Sequence, residues 1–207
     1  DVNAHPQFSN SKKLCLVHNG IIENYSTIKQ KLIKEGFSFD SETDTEVLVN
    51  LIEYVKDKHS VKLGEAVQIA LNQVVGAYAI AVIDNEKPDE IVVAKLGSPL
   101  CIGIGEDEHF IGSDVTPFIE FTKNVVYLED GELAIIRNHK ETFFRKISDD
   151  SIISPTISKL ELSLDKIEKQ GFEHYMLKEI YEQPKAIKDT LRGRLNVSKD
   201  RKSTRLN

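Results

Sequence analysis

Apolar residues recur along this chain with two different periods, and the change between them falls at Gly76. Before it the spacing is helical. Ile28, Leu32 and Ile33 mark one face from Tyr25 to Glu35, and Gly36 supplies a stop. Ser41-Glu42-Thr43-Asp44-Thr45-Glu46, dense in capping residues, predicts a helix through about Lys56 with Val47, Leu48, Leu51, Ile52 and Val55 buried. A third helix is predicted over Val61–Val74, with Leu63, Val67, Ala70, Leu71 and Val74 on one side. Ahead of these, Lys13–His18 is an apolar run ending in Asn19-Gly20, which reads as a strand entering a turn.

After Gly76 short strands take over: Ala77–Ile83, Glu90–Ala94, Leu100–Ile104, His109–Gly112, Val125–Leu128, Glu132–Arg137 and Glu141–Ile147. Glu129-Asp130-Gly131 reads as a turn. Connections this short join antiparallel strands, so helices followed by a meander predict sheets covered by helices. Ser148–Leu164 is polar and irregular, which suits a loop or domain edge. Helical spacing resumes over Ser163–Lys169 and from Glu173 to about Leu191.

Composition narrows the function classes. The 207 residues are 40% hydrophobic and carry a net charge of -6, with no Lys/Arg stripe to suit nucleic acid. No apolar run is long enough to span a membrane. The two cysteines, Cys15 and Cys101, sit inside apolar runs, which predicts inert packing in a reducing, cytoplasmic compartment. No two histidines stand four apart on a helix pattern, so no metal is expected. His59, His109 and His139 are expected to be solvated, and Gly103-Ile104-Gly105 reads as a turn and not a dinucleotide loop. The chain starts at Asp1 and its one methionine is Met176, so the expectation is a fragment. Residues 200–207, abruptly basic and similar to a translated sequencing adapter, are expected to be non-native.

Alone, Asn19-Gly20 is a turn signal and Asp44 a helix cap. Taken together, Val17-His-Asn-Gly-Ile-Ile-Glu-Asn-Tyr25 and Ser41-Glu-Thr-Asp-Thr-Glu-Val47 resemble the class II glutamine amidotransferases. Asn3-Ala-His-Pro6, Gly76-Ala-Tyr78, Gly97-Ser-Pro-Leu100 and His174–Pro184 agree in order, so the resemblance runs from Asn3 to about Asn196. The segment His174–Pro184 is similar to the entry into a sugar-phosphate isomerase half, which points to the aminotransferase branch of that family.

That resemblance implies an α+β fold of the N-terminal-nucleophile hydrolase type. This is an αββα sandwich of antiparallel sheets, here incomplete at its N-terminus and leaving apolar sheet surface exposed. The implied division is a glutaminase remainder over 1–160, a linker over 161–172 and the first helix of a sugar-isomerase α/β domain over 173–199. The implied parent, a homodimer with no cofactor, hydrolyses glutamine and passes ammonia to fructose 6-phosphate, giving glucosamine 6-phosphate for amino-sugar synthesis. Another acceptor, or a degenerate module that only binds, are the alternatives.

By resemblance, the Asn19 side-chain amide and the Gly20 N–H are the oxyanion donors, since acyl transfer needs two donors aimed at one oxygen. Asp44 corresponds to the residue holding the substrate's α-ammonium group, a charge-assisted contact. His5 corresponds to a pocket-side histidine. His18 supports the turn from behind, or is simply packed. Gln7 stands where relatives often have a second histidine, which puts any role there in doubt. The family's leading cysteine and its carboxylate-binding arginine segment have no counterpart here, so the chain itself is expected to be inactive.

Overall fold

The structure is a computed structural model that describes residues 2–137, 142–160, 169 and 171–191. A short strand β1 (Gln7–Phe8) leads into β2 (Leu14–Ile22), then three helices follow: α1 (Tyr25–Lys34), α2 (Asp44–His59) and α3 (Leu63–Leu71). The meander comprises β3 (Gly76–Asp84), β4 (Glu90–Leu96), β5 (Cys101–Ile104), β6 (His109–Gly112), β7 (Asn124–Tyr127), β8 (Glu132–Arg137) and β9 (Phe143–Lys146). Short strands β10 (Ile152–Ile153) and β11 (Ile157–Lys159) come next, and α4 (Tyr175–Leu191) comes last. The stretch expected to be an irregular loop thus contributes two edge strands. Pairing with β9 and β7 supplies the order that so few residues cannot specify by themselves. The predicted helix over Ser163–Lys169, all but its last residue, and the 200–207 tail lie outside the described residues, as do most of the 161–172 linker and His139.

Every strand pair in the two sheets is antiparallel. One sheet has seven strands in the order β1-β2-β3-β4-β8-β9-β10, the other four in the order β11-β7-β5-β6. Period-2 alternation sorts the side chains into layers. Tyr78, Ile80 and Val82 of β3, Val92 and Ala94 of β4, and Leu133 and Ile135 of β8 pack against the three helices. Their neighbours Ala79, Val93, Ala134 and Ile136 face Leu100, Ile102, Val126 and Leu128 of the second sheet. Beyond that sheet, Cys101 and Val125 are covered by Val115 and Phe118 from a turn-rich segment between β6 and β7.

The central helix, α2, lies between α1, α3, β1 and β2, so its burial exceeds the single predicted face. Val49, Glu46, Asn50 and Glu53 are buried along with the expected apolar residues. The polar three are bonded as burial demands. Glu53 accepts from the Ser9 hydroxyl at 2.6 Å, and Asn50 accepts from the Asn10 N–H at 2.7 Å. These bonds pin the β1–β2 hairpin to the helix. On its other face β2 leaves Val17 and Ile21 exposed, beside exposed Phe8 of β1, which matches the exposed apolar surface anticipated from the sequence.

Candidate active site

Asn19 and Gly20 do not form a turn. They lie inside β2, in register with Ala79 and Tyr78 of β3 along a nine-residue pairing that carries the chain straight through. Glycine is required there for a different reason. Its φ is +141°, and a Cβ at this position would stand 2.0 Å from the Ala77 carbonyl oxygen. The bare backbone therefore meets a neighbouring strand and a cavity together.

The second wall comes from the start of α2. Thr43, not Asp44, is its N-cap, with its hydroxyl oxygen accepting from the Glu46 N–H at 3.1 Å. The Glu46 carboxylate reaches back to accept from the Asp40 N–H at 2.8 Å, the Ser41 N–H at 2.7 Å and the Ser41 hydroxyl at 2.6 Å. The carboxylate passes over the N-cap N–H, which donates to Ser41 Oγ at 3.2 Å, and instead fixes the loop before the helix. Asp44 is then the first helical residue, where the helix N-terminus favours a carboxylate. Its Oδ2 accepts from the Ile22 N–H at 2.8 Å, tying α2 to the end of β2.

Between these walls stand two histidines. Thr45 Oγ1 lies 3.2 Å from His18 Nδ1 and 3.2 Å from His5 Nε2, bridging both rings. His18 is buried, and its Nδ1 is 4.0 Å from Asp44 Oδ1. Burial lowers the His18 pKa below its ordinary 6.5, against the opposing pull of Asp44 and the Ala77 backbone, and His5 reinforces the fall. His18 is therefore neutral at pH 7. Its Nε2 has no partner of hydrogen-bond geometry among the described residues.

His5 is held by its neighbour. Gln7 is buried, and its Nε2 donates to the carbonyls of Val2 and Ala4, both at 2.9 Å. The position doubted from the sequence thus anchors the segment that carries His5.

Together these groups line a cavity of about 420 Å³, bounded by Asn3, His5, His18, Gly20, Ile21, Tyr25 and residues 42–45. Four of the five candidate residues (His5, His18, Gly20 and Asp44) are brought together there. Asn19 is not in that lining. It projects from the opposite face of β2, where its Nδ2 donates to the Ser113 hydroxyl oxygen at 3.1 Å. Sequence pattern pointed to neither Thr45 nor Ser113. The Thr43-x-x-Glu46 spacing does carry a signal for Glu46, whereas Ser113 stands 94 residues from its partner.

Neither cysteine lines the cavity. Burial pushes the Cys101 thiol up to about 12, so it stays protonated. His109, expected to be solvated, is part-buried with its ring 3.2 Å from the Thr142 hydroxyl, and burial lowers its pKa. Among the described residues no group of three or more side chains is arranged to hold a metal ion, and no helix is long and apolar enough to cross a membrane.

Two stacked antiparallel sheets under a helical layer, with a glycine-floored cavity at the head of α2, define a class of protein. A family model described as a glutamine amidotransferase domain matches residues 1–120, and the chain belongs to that family. Within it, the chain is 56% identical to a glutamine–fructose-6-phosphate aminotransferase (isomerizing) of Bacteroides thetaiotaomicron, over 95% of this chain and 32% of that protein. It is 48% identical to the enzyme of the same name from Chlorobaculum tepidum, over 97% of this chain and 33% of that one. The chain therefore spans about a third of the length of these curated relatives.

Solved structures agree on the architecture. An allosteric regulatory enzyme of purine biosynthesis matches with a TM-score of 0.60 at 30% identity, covering 72% of this chain and 32% of that one. The glutamine phosphoribosylpyrophosphate amidotransferase from B. subtilis matches with a TM-score of 0.57 at 30% identity, covering 67% and 30%. The fold is the N-terminal-nucleophile hydrolase type of the glutamine amidotransferases.

Proposed function

We propose that this chain is the glutamine-binding part of a glutamine–fructose-6-phosphate aminotransferase, acting in the cytoplasm and without metal or redox cofactor. The observation that carries this is the meeting of Gly20 and Asp44 on one cavity in a chain 56% identical to an enzyme of that name. Glutamine has a charged amino-acid end and an amide end. Asp44, with one carboxylate oxygen anchored by Ile22 and the other free of that bond, suits the α-ammonium group. The Gly20 N–H, on the cavity, suits the amide end, where attack on the carbonyl creates an oxyanion. The second donor is assigned by the family resemblance to Asn19, whose side chain leaves the other face of β2. His5 and His18 border the same space, and His18, kept neutral by burial, adds no charge to that of Asp44.

In this reading ammonia released from glutamine passes to fructose 6-phosphate in a second domain, and two subunits associate. The exposed Met176, Ile180 and Ile187 of α4 suit a helix that packs against that domain. In this reading the division is 1–160 for the glutaminase, 161–172 for a linker and 173–199 for the first helix region of the isomerase domain.

The test is Asn19→Ala in the full-length protein. Loss of one oxyanion donor is expected to lower glutaminase kcat by about a hundredfold or more. Unchanged turnover would remove Asn19 from the mechanism.

A further inference from the structure

Asn19 is an exposed side chain, and an untethered asparagine on a strand surface samples several rotamers. Here it does not stand alone. Its Nδ2 donates to Ser113 Oγ at 3.1 Å, a bond that crosses from the seven-stranded sheet to the end of β6 in the four-stranded one. Ser113 itself sits on a firm mount. Gly112 before it is in register with Cys101, whose Sγ donates to the Gly112 carbonyl at 3.2 Å. Asp114 after it accepts from the Thr116 N–H at 2.8 Å and from the Thr116 hydroxyl, and Val115 is buried. A Cβ at Gly112 would stand 2.9 Å from the Asp114 carbonyl oxygen, so the turn is tight as well as tied.

A carboxamide carries two N–H donors in one plane. With one of them committed to Ser113, the plane is held and the second N–H is left for another acceptor. Pre-aimed donors are what lower the barrier of oxyanion-forming steps, because no reorganisation remains to be done as charge develops. The geometry points to Ser113 as a positioning residue for glutamine hydrolysis, acting through Asn19 and touching no reacting atom. This rests on the reading that Asn19 is an oxyanion donor.

The test is a cycle in the full-length protein of Ser113→Ala, Ser113→Thr, Asn19→Ala and the double variant Ser113→Ala with Asn19→Ala. Loss of aim is expected to lower kcat roughly tenfold in Ser113→Ala. KM for glutamine should stay within about twofold, because uniform binding is untouched. Ser113→Thr keeps the hydroxyl and should recover most of the rate. The double variant should be no slower than Asn19→Ala, since the tether has nothing left to hold.

A second readout needs no turnover. In the 207-residue chain, the Asn19 side-chain amide should show a lower heteronuclear 15N–1H NOE in Ser113→Ala, while backbone amides of β2 are unchanged. Wild-type kcat in Ser113→Ala, with Asn19→Ala still impaired, overturns the tether and leaves the Asn19 reading intact. Additive losses in the double variant overturn it too. A full-rate Asn19→Ala overturns the underlying assignment instead.

Discussion

Gly20 lies so close to Ala77 on the next strand that an added Cβ would meet the Ala77 carbonyl oxygen at 2.0 Å. The same glycine has φ +141°, outside the range that side chains accept readily. Gly20→Ala should therefore push β2 and β3 apart, with a cost of about 3 kcal/mol or more from clash and strain together. Urea unfolding followed by circular dichroism checks this. A loss under about 0.5 kcal/mol, the range of an ordinary surface substitution, would contradict the close approach.

Asp44→Asn separates the structural duty of this residue from its proposed duty toward substrate. Its Oδ2 accepts the Ile22 N–H, and an asparagine oxygen does the same. Stability should change little. The variant lacks the charge that matches an ammonium group, a difference of about 1.5–3 kcal/mol for a charge-assisted bond. Calorimetric titration with glutamine or glutamate should show roughly ten- to hundredfold weaker binding. Equal affinity in the variant would detach Asp44 from the substrate.

Glu46 holds the loop that presents Asp44. Its carboxylate serves the N–H groups of Asp40 and Ser41 and the Ser41 hydroxyl, while remaining buried. Glu46→Ala leaves those donors without a partner, and each unsatisfied buried group costs about 1–3 kcal/mol. Stability and glutamine affinity should fall together, in contrast to Asp44→Asn. Retained affinity in a folded Glu46→Ala would show that the loop holds its shape without the carboxylate.

The buried histidine gives stability a definite pH dependence. Burial lowers the folded-state pKa of His18, with Asp44 and the Ala77 backbone opposing and His5 adding to the fall. Unfolded, the same ring titrates at its ordinary value of 6.5. Between those two values the unfolded chain binds more protons, so stability is complete above 6.5, falls as pH drops through the window and levels off below the folded pKa. His109, also lowered by burial, acts in the same sense. Urea midpoints at about pH 7.5 and about pH 5.5 should differ in that direction, and less so in His18→Asn. An unchanged difference in the variant would locate the effect elsewhere.

The thiol of Cys101 is a poor nucleophile by position. Cys101 is buried with its pKa raised to about 12. It should resist alkylation by iodoacetamide until the protein unfolds, as mass spectrometry of native and denatured samples can establish. Neither Cys101 nor Cys15 lines the cavity, and neither carries a free α-amine to act as base. The 207-residue chain is expected to release no glutamate from glutamine above background.

Most of the secondary structure was legible in advance because the hydrophobic period is local. The four described helices and the eight longer strands fall within a few residues of their apolar patterns, and β6 and β8 match their predicted limits. The two- and three-residue edge strands were not legible. Two or three residues carry no measurable period, and β10 and β11 exist because β9 and β7 offer them hydrogen bonds. Asn19-Gly20 was misread for a related reason. The dipeptide is a good local turn, yet nine residues of pairing with β3 outweigh that preference.

By itself, the sequence determined which residue types are available at the site: His18, Asn19 and Gly20 on one strand, Asp44 at the head of a helix, and His5 ahead of both. Only the tertiary structure decided how they divide. Strand alternation sends His18 to the helical side, to share a cavity with Asp44 and His5, and sends Asn19 to the opposite face, to bond Ser113. A pleat turns successive side chains apart, and a partner 94 residues away is chosen by how two sheets stack. No motif of nine residues encodes either outcome.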